Sequence, residues 1–275
     1  LVDLWGGFVD RVRSAPWDRD TVSIVFSCTK GAVAICAHML ASRGLLDVEA
    51  PVAKYWPGFA VNGKEEVTVR MMLDHSAGVP AFRGSMKELG CTDWEYMIHR
   101  LEAEEPWWKP GIRNGYHMLS FGWTVGEIVR RVSGVSLGAF FQQEIAKPLG
   151  IDFWIGLPEE IEPRVSPVIQ YARRSSDAAT RFETAILGDS ASLQAKALLN
   201  NGGFDANNRA CHAAEHGRTR FQHISSALMG FRIGFGFSRF AVGRRFVRRF
   251  PRARRVGRRG HHRLVWVGGR SARAG

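Results

Sequence analysis

Ser27 and Lys30 stand three residues apart in the stretch Phe26-Ser27-Cys28-Thr29-Lys30-Gly31. A serine hydroxyl becomes a useful nucleophile when a neighbouring base takes its proton. A lysine can be that base once desolvation and nearby positive potential lower its pKa. Residues i and i+3 share a helix face, so the amine would lie over the Ser27 hydroxyl. The chemistry on offer is nucleophilic attack on a carbonyl. As a bare pattern, Ser-x-x-Lys arises by chance about once in a chain of this length. The plain alternative is a helix-capping serine beside a solvated lysine.

The elements around the pair favour chemistry. Thr21–Phe26 is strand-like, and Leu1–Trp5 before it reads the same way. Two antiparallel strands would therefore lead into the pair. Ala32–Ala41 has no Pro, no Gly and one polar residue, and it ends at Arg43-Gly44. That pattern predicts a buried helix with a basic last turn and a glycine cap. Ser27 falls at its N-terminus, which carries about half a positive charge. The Ser27 backbone N–H is free there to meet a developing oxyanion.

Further along, Thr68 can cap a short helix over Val69–Asp74, stopped at His75-Ser76-Ala77-Gly78. His75 at a helix end reads as a structural histidine bound to loop carbonyls before it reads as a base. Cys91–Leu101 predicts an amphipathic helix capped by Thr92. Trp107 and Trp108 lie in a Pro/Gly loop, as a cover over the helices or as one wall of an apolar substrate pocket. A helix is expected to open at Gly115 and run to Gly134. A second, capped by Ser136, should span Leu137–Lys147, and a last one Ser190–Leu199. The stretch Glu159–Thr184 is polar and reads as helix-poor.

Bulk composition narrows the class. The chain has 275 residues, 45% of them hydrophobic, enough for a substantial core. No apolar run approaches 18 residues, so no membrane span is expected. The N-terminus lacks a basic segment followed by a long apolar one, which predicts a cytoplasmic protein without a signal peptide. The four cysteines have no Cys-x-x-Cys spacing, so neither zinc nor a disulfide framework is implied. No glycine-rich phosphate cradle and no internal repeat occurs, and no cofactor is expected.

The formal charge of +12 is concentrated at one end. Residues 216–275 hold sixteen Arg and no Lys, Asp or Glu, while 1–215 hold the remaining 22 basic and all 26 acidic residues. An arginine-rich arm of this kind suits phosphates. The lack of lysine and of a stacking platform argues against a nucleic-acid partner. No strand-period alternation survives over Arg244–Arg263. The expectation is a segment that is not native to the domain, from a shifted reading frame or a mis-joined gene. A solvated basic tail is the alternative.

The motifs together resemble the β-lactamase-related serine hydrolases: class C β-lactamases, penicillin-binding D,D-peptidases and a branch of carboxylesterases. The likeness rests on Phe26-Ser27-x-Thr29-Lys30-Gly31, Leu45-Leu46-Asp47-x-x-Ala50-Pro51-Val52-Ala53-x-Tyr55-Trp56-Pro57, Thr68-Val69-Arg70-x-x-Leu73-x-His75-Ser76-Ala77-Gly78-Val79, and Tyr116-His117 before a Gly-Trp helix. It covers roughly residues 1–205. It implies an α+β fold, with an antiparallel sheet flanked by helices beside an all-helical region at about 68–200. In this chain that fold is expected to be incomplete. It implies Ser27 as the acylated nucleophile, Lys30 as its proton acceptor and Tyr116 as the proton relay. His117, Trp107 and Trp108 would contact substrate. A core tyrosine is the bland alternative for Tyr116.

Two departures stand out. Lactamases and peptidases carry Asn two residues after the tyrosine, where this chain has Met118, and Tyr-His is closer to the esterase branch. The family's third motif, Lys-Thr-Gly or His-x-Gly, occurs nowhere in the chain. The expectation is thus a hydrolase domain over 1–215, acting through an acyl-enzyme on small ester or strained amide substrates. The contrasting expectation is a relative that binds acyl ligands or partners without turnover.

Overall fold

The computed structural model of the protein describes residues 4–170 and 178–212. The arginine-rich segment, with the expectation about its origin, lies outside the described residues, as does the start of the expected Leu1–Trp5 strand.

Helix α1 spans Thr29–Ser42 and follows a 3-10 turn at Phe26–Cys28. It starts three residues before the apolar run because the 3-10 turn feeds directly into it. Its end is a Schellman closure: Gly44 N–H donates to Ala41 O at 3.0 Å and Leu45 N–H to Leu40 O at 3.0 Å. Gly44 takes φ +72°, a conformation that favours glycine. Val33, Cys36, Ala37 and Leu40 are buried. The other face, Gly31, Ile35, His38 and Ser42, is exposed, with Ile35 at 52%.

Helix α2, Val69–Leu73, is capped as expected, the Thr68 side chain accepting from Met71 N–H at 3.3 Å. Its stop is unusual. Ser76 N–H closes onto Met71 O at 3.0 Å, and the residue turned left-handed between them is His75, at φ +67°. Glycine normally takes that place, and an L-residue costs on the order of 1 kcal/mol more there.

Helix α3, Trp94–Ala103, is capped by Asp93 and not by Thr92. Asp93 has extended backbone, and its carboxylate accepts from Tyr96 N–H at 3.0 Å. Thr92 closes a 3-10 turn at Gly90–Thr92, and its hydroxyl bonds Leu89 O at 2.8 Å. At the other end the buried Lys64 amine donates to Glu102 O at 3.0 Å and also to Glu104 O, satisfying the last carbonyls.

Helix α4, Ser120–Ser133, packs against α1, α2 and α3. It starts five residues later than the expected Gly115, because the backbone N–H groups of Gly115 and His117 are drawn away to His75. Its interior carries Glu127, fully buried, whose carboxylate accepts from Trp94 Nε1 at 2.8 Å, from Arg130 Nε at 2.7 Å and from Arg131 Nε at 2.5 Å. Four donors converge on this one carboxylate, because Arg130 adds a second bond at 2.7 Å.

Helix α5, Leu137–Phe141, packs on α1 and α4 and is capped by the Ser136 hydroxyl, which accepts from Ala139 N–H at 2.9 Å. It widens into a π turn, Gln142–Ala146, before α6, Lys147–Leu149. Pro148 accounts for the widening: it lacks an N–H, and its ring would meet the carbonyl four residues earlier. Helix α7, Arg181–Gly188, begins inside the stretch read as helix-poor. A capping box made by Thr180 and Glu183 starts it. Helix α8, Leu193–Leu199, is capped by Ser192.

Among the described residues extended pairing is limited to isolated bridges. Val22, in the strand-like Thr21–Phe26, pairs in parallel with Val165. Phe8 pairs with Pro16 and Pro51 with Thr68, both antiparallel.

Candidate active site

The site is built on the 3-10 turn and first turn of α1 and on the irregular segment 111–119 that precedes α4. Phe26, at φ +45°, turns the chain sharply just before Ser27. Ser27 is exposed, and Lys30 Nζ donates to its Oγ at 3.2 Å. The same amine donates to Met118 O at 2.7 Å, so α1 is tied to the segment before α4 at this point. Burial pushes the Lys30 pKa below the ordinary lysine value, more than the Tyr116 side chain holds it up.

Tyr116 is half-exposed, and its ring lies beneath the Lys30 amine, 5.0 Å from the ring centre. Phe121 of α4 is 5.8 Å from the same amine. The backbone N–H groups of the residues on either side of Tyr116 are both held by one residue. Gly115 N–H donates to His75 O at 3.0 Å, and His117 N–H donates to His75 Nδ1 at 3.2 Å. The His75 ring packs at a tilt against Tyr116 at 5.1 Å and against Phe121 at 5.0 Å. Position 115 has no room for a side chain, since a Cβ there would lie 2.3 Å from the Trp108 ring.

His117 turns inward. It is 1% exposed; its Nε2 accepts from Val79 N–H at 3.1 Å, and its Nδ1 lies 2.6 Å from Gly115 O. The first contact needs a bare Nε2 and the second a protonated Nδ1, so the ring is neutral. Burial drives its pKa down to about 4, the Gly115 carbonyl opposing. The ring braces the two loops and leaves no nitrogen for substrate.

Trp108 is buried with Nε1 on Ser76 O at 3.3 Å, and it meets His117 edge-on at 6.0 Å. It supports the Tyr116 segment from behind. Trp107 donates to Ala81 O at 2.9 Å and stacks under the Arg83 guanidinium at 4.3 Å. Those contacts tie it to the loop after Gly78 and not to Ser27, Lys30 or Tyr116. Of the six residues expected at the site, the structure therefore gathers Ser27, Lys30 and Tyr116. The sequence reading missed the Met118 carbonyl, which no side-chain pattern reveals. It singled out His75 as a structural histidine bound to loop carbonyls, whereas the ring's Nδ1 accepts from the His117 N–H. Among the described residues no group of three His, Cys, Asp or Glu side chains could hold a metal ion, and no helix is long and apolar enough to cross a membrane.

A helical layer centred on α4, with Ser27 at the head of α1, is the β-lactamase/transpeptidase-like fold. A family VIII carboxylesterase crystal structure shares it with a TM-score of 0.68 at 35% identity, over 84% of this chain and 57% of its own. So does a penicillin-binding protein homologue from Caulobacter crescentus, with a TM-score of 0.67 at 29% identity, over 82% of this chain and 56% of its own. The chain belongs to the Beta-lactamase family, whose model matches residues 1–253. It is also similar to the esterase/beta-lactamase LipL of Mycobacterium tuberculosis, 42% identical over 171 residues, which are 62% of this chain and 39% of that protein. The chain thus spans about two fifths of the length of that curated relative.

Proposed function

We propose that the protein is an esterase-like serine hydrolase that works through an acyl-enzyme on Ser27. The observation that carries this reading is the Lys30 amine, 3.2 Å from Ser27 Oγ, 2.7 Å from Met118 O and lowered in pKa by burial. A neutral amine keeps one N–H on the Met118 carbonyl and turns its lone pair to the Ser27 hydroxyl. It takes the Ser27 proton as Oγ attacks the ester carbonyl carbon. The carbonyl oxygen becomes an oxyanion facing the Ser27 N–H at the helix N-terminus. Collapse expels the alkoxide, which recovers the proton from Lys30 by way of the Tyr116 hydroxyl. Water then attacks the acyl-enzyme by the same route, releasing the acid and restoring Ser27. Met118 in place of an amide side chain, and the likeness to a family VIII carboxylesterase, support ester over lactam carbonyls.

The finer architecture belongs to the same proposal. Helix α1 is mostly apolar, yet it leaves Ile35 exposed on the face it shares with Gly31, His38 and Ser42. We infer that this is the face on which the antiparallel sheet implied by the family resemblance packs; the strand that supplies the second oxyanion donor is the one whose motif the chain lacks.

Incubation with a fluorophosphonate probe, followed by peptide mapping, tests the reading. The adduct is expected on Ser27 and absent from Ser27→Ala. Lys30→Ala should slow labelling by about 100- to 10,000-fold, the usual contribution of a general base. A folded protein that takes no label at Ser27 would overturn it.

A further inference from the structure

We propose that His75 is the positioning residue for Tyr116: its carbonyl and its Nδ1 hold the N–H groups of the residues on either side of that tyrosine, and protonation of its ring adds a second step to the acid limb of activity, below the one that Lys30 sets. The inference rests on the hydrolase reading for its kinetic consequence but not for its geometry. Each end of the grip is a specific bond, Gly115 N–H to His75 O at 3.0 Å and His117 N–H to His75 Nδ1 at 3.2 Å. The tyrosine between them then has little freedom to shift, and its ring is in contact with both the His75 ring at 5.1 Å and the Lys30 amine at 5.0 Å.

The choice of residue supports the role. His75 occupies the left-handed stop of α2, where glycine would hold the backbone with less strain. Strain retained at such a position accompanies a use for the side chain. That use is visible in the acceptor bond from His117, which a glycine could not supply.

An Nδ1 that accepts must be unprotonated, so the ring proton sits on Nε2. Burial, and then the Lys30 charge, lower the His75 pKa from 6.5, with Asp74 opposing. The groups facing the ring are Lys30 from α1, Tyr116 and His117 from the segment before α4, and Asp74 on its own turn. When pH falls through the lowered His75 value, Nδ1 gains a proton, the His117 bond is lost and a second cation stands beside Lys30. Lys30 is then harder to protonate and Tyr116 is no longer fixed.

Two variants of the full chain separate this role from a merely structural one. His75→Gly removes the Nδ1 hold on His117 N–H, keeps the backbone carbonyl hold on Gly115 N–H and relieves the backbone strain, so the fold is expected to persist with an unchanged or higher melting temperature. Its fluorophosphonate labelling rate at Ser27 should fall about 10- to 100-fold, the scale of a misplaced catalytic group. His75→Asn tolerates the left-handed turn and places an oxygen where Nδ1 stood. It should restore most of the rate and shift the acid limb of the pH profile. Labelling of His75→Gly at the wild-type rate with the wild-type acid limb would overturn the inference. Imidazole nitrogen shifts in the wild-type protein decide the geometry without any activity. The Nε2–H tautomer is expected, and an Nδ1–H tautomer at neutral pH would overturn the inference. Absence of label on wild-type Ser27 would instead sink the hydrolase reading, with the tautomer still deciding the role of His75.

Discussion

At the scale of single residues, the spacing of Ser27 and Lys30 was enough to place an amine over a hydroxyl, and the structure puts them 3.2 Å apart. Spacing could not disclose the surroundings that lower the Lys30 pKa, because the residues in contact with the amine, Tyr116, Met118 and Phe121, lie some ninety residues away. The pH consequence has a definite sign. Lys30 acts when neutral, so kcat/KM should rise with pH through its lowered pKa and level off below 10.5, the ordinary lysine value. Lys30→Arg, charged at every accessible pH, should lose both the rate and that rise.

His117 makes a stability prediction of its own. Its folded pKa of about 4 lies below the 6.5 of an exposed histidine. Between those values the unfolded chain binds a proton that the folded one refuses. Stability should therefore decline as pH falls from 6.5 toward 4, by up to about 3 kcal/mol. Urea midpoints across that range check it. Gly115→Ala should act on the site, because its methyl group would meet the Trp108 ring. The expected outcome is a labelling rate reduced by about tenfold or more at a modest cost in stability.

At the scale of elements, helices with apolar runs were legible and their starts were less so. The Ala32–Ala41 run predicted the body of α1, but the 3-10 turn that extends it has no sequence mark of its own. Thr92 and Asp93 are both good caps, and only tertiary contacts choose between them. Helix α4 begins late because His75, far away in sequence, claims its upstream N–H groups. Helix α7 was hidden by polarity, although its capping box, Thr180 and Glu183, was readable as a signature. Helix α4 also carries the clearest structural weak point. Glu127→Ala leaves the buried Trp94 N–H without an acceptor and frees two arginines. A loss of about 2–3 kcal/mol is expected, less than for a fully buried ion pair, because the arginines can turn to solvent. Thermal unfolding of that variant checks the magnitude, with Ser27 labelling reporting whether the site survives below the transition.

At the scale of the whole molecule, the cysteines offer a simple test of the packing. Cys28 is exposed, while Cys36, Cys91 and Cys211 are buried. Native protein should show one fast-reacting thiol and denaturant should release three more, as counted by mass after alkylation. Alkylated Cys28 adjoins Ser27, so the modified protein should also label poorly. Charge and composition spoke to the molecule as a whole less than the ordered series of motifs did, since they describe the two ends of the chain as opposites and say nothing of how α1 meets α4.

That meeting has a consequence in time. The bond from the Lys30 amine to the Met118 carbonyl joins residues 88 apart in sequence. A chain made at about 5–20 residues per second leaves α1 waiting roughly 4–18 seconds after synthesis before that partner exists. Through that interval an apolar helix with its nucleophile is complete in sequence and has nothing to pack against. Holdase chaperones engage such segments, so the rate at which residues 31–118 are translated should govern the yield of active protein. Slow codons placed between α1 and α4 should lower that yield, and the same codons placed after residue 133 should leave it unchanged.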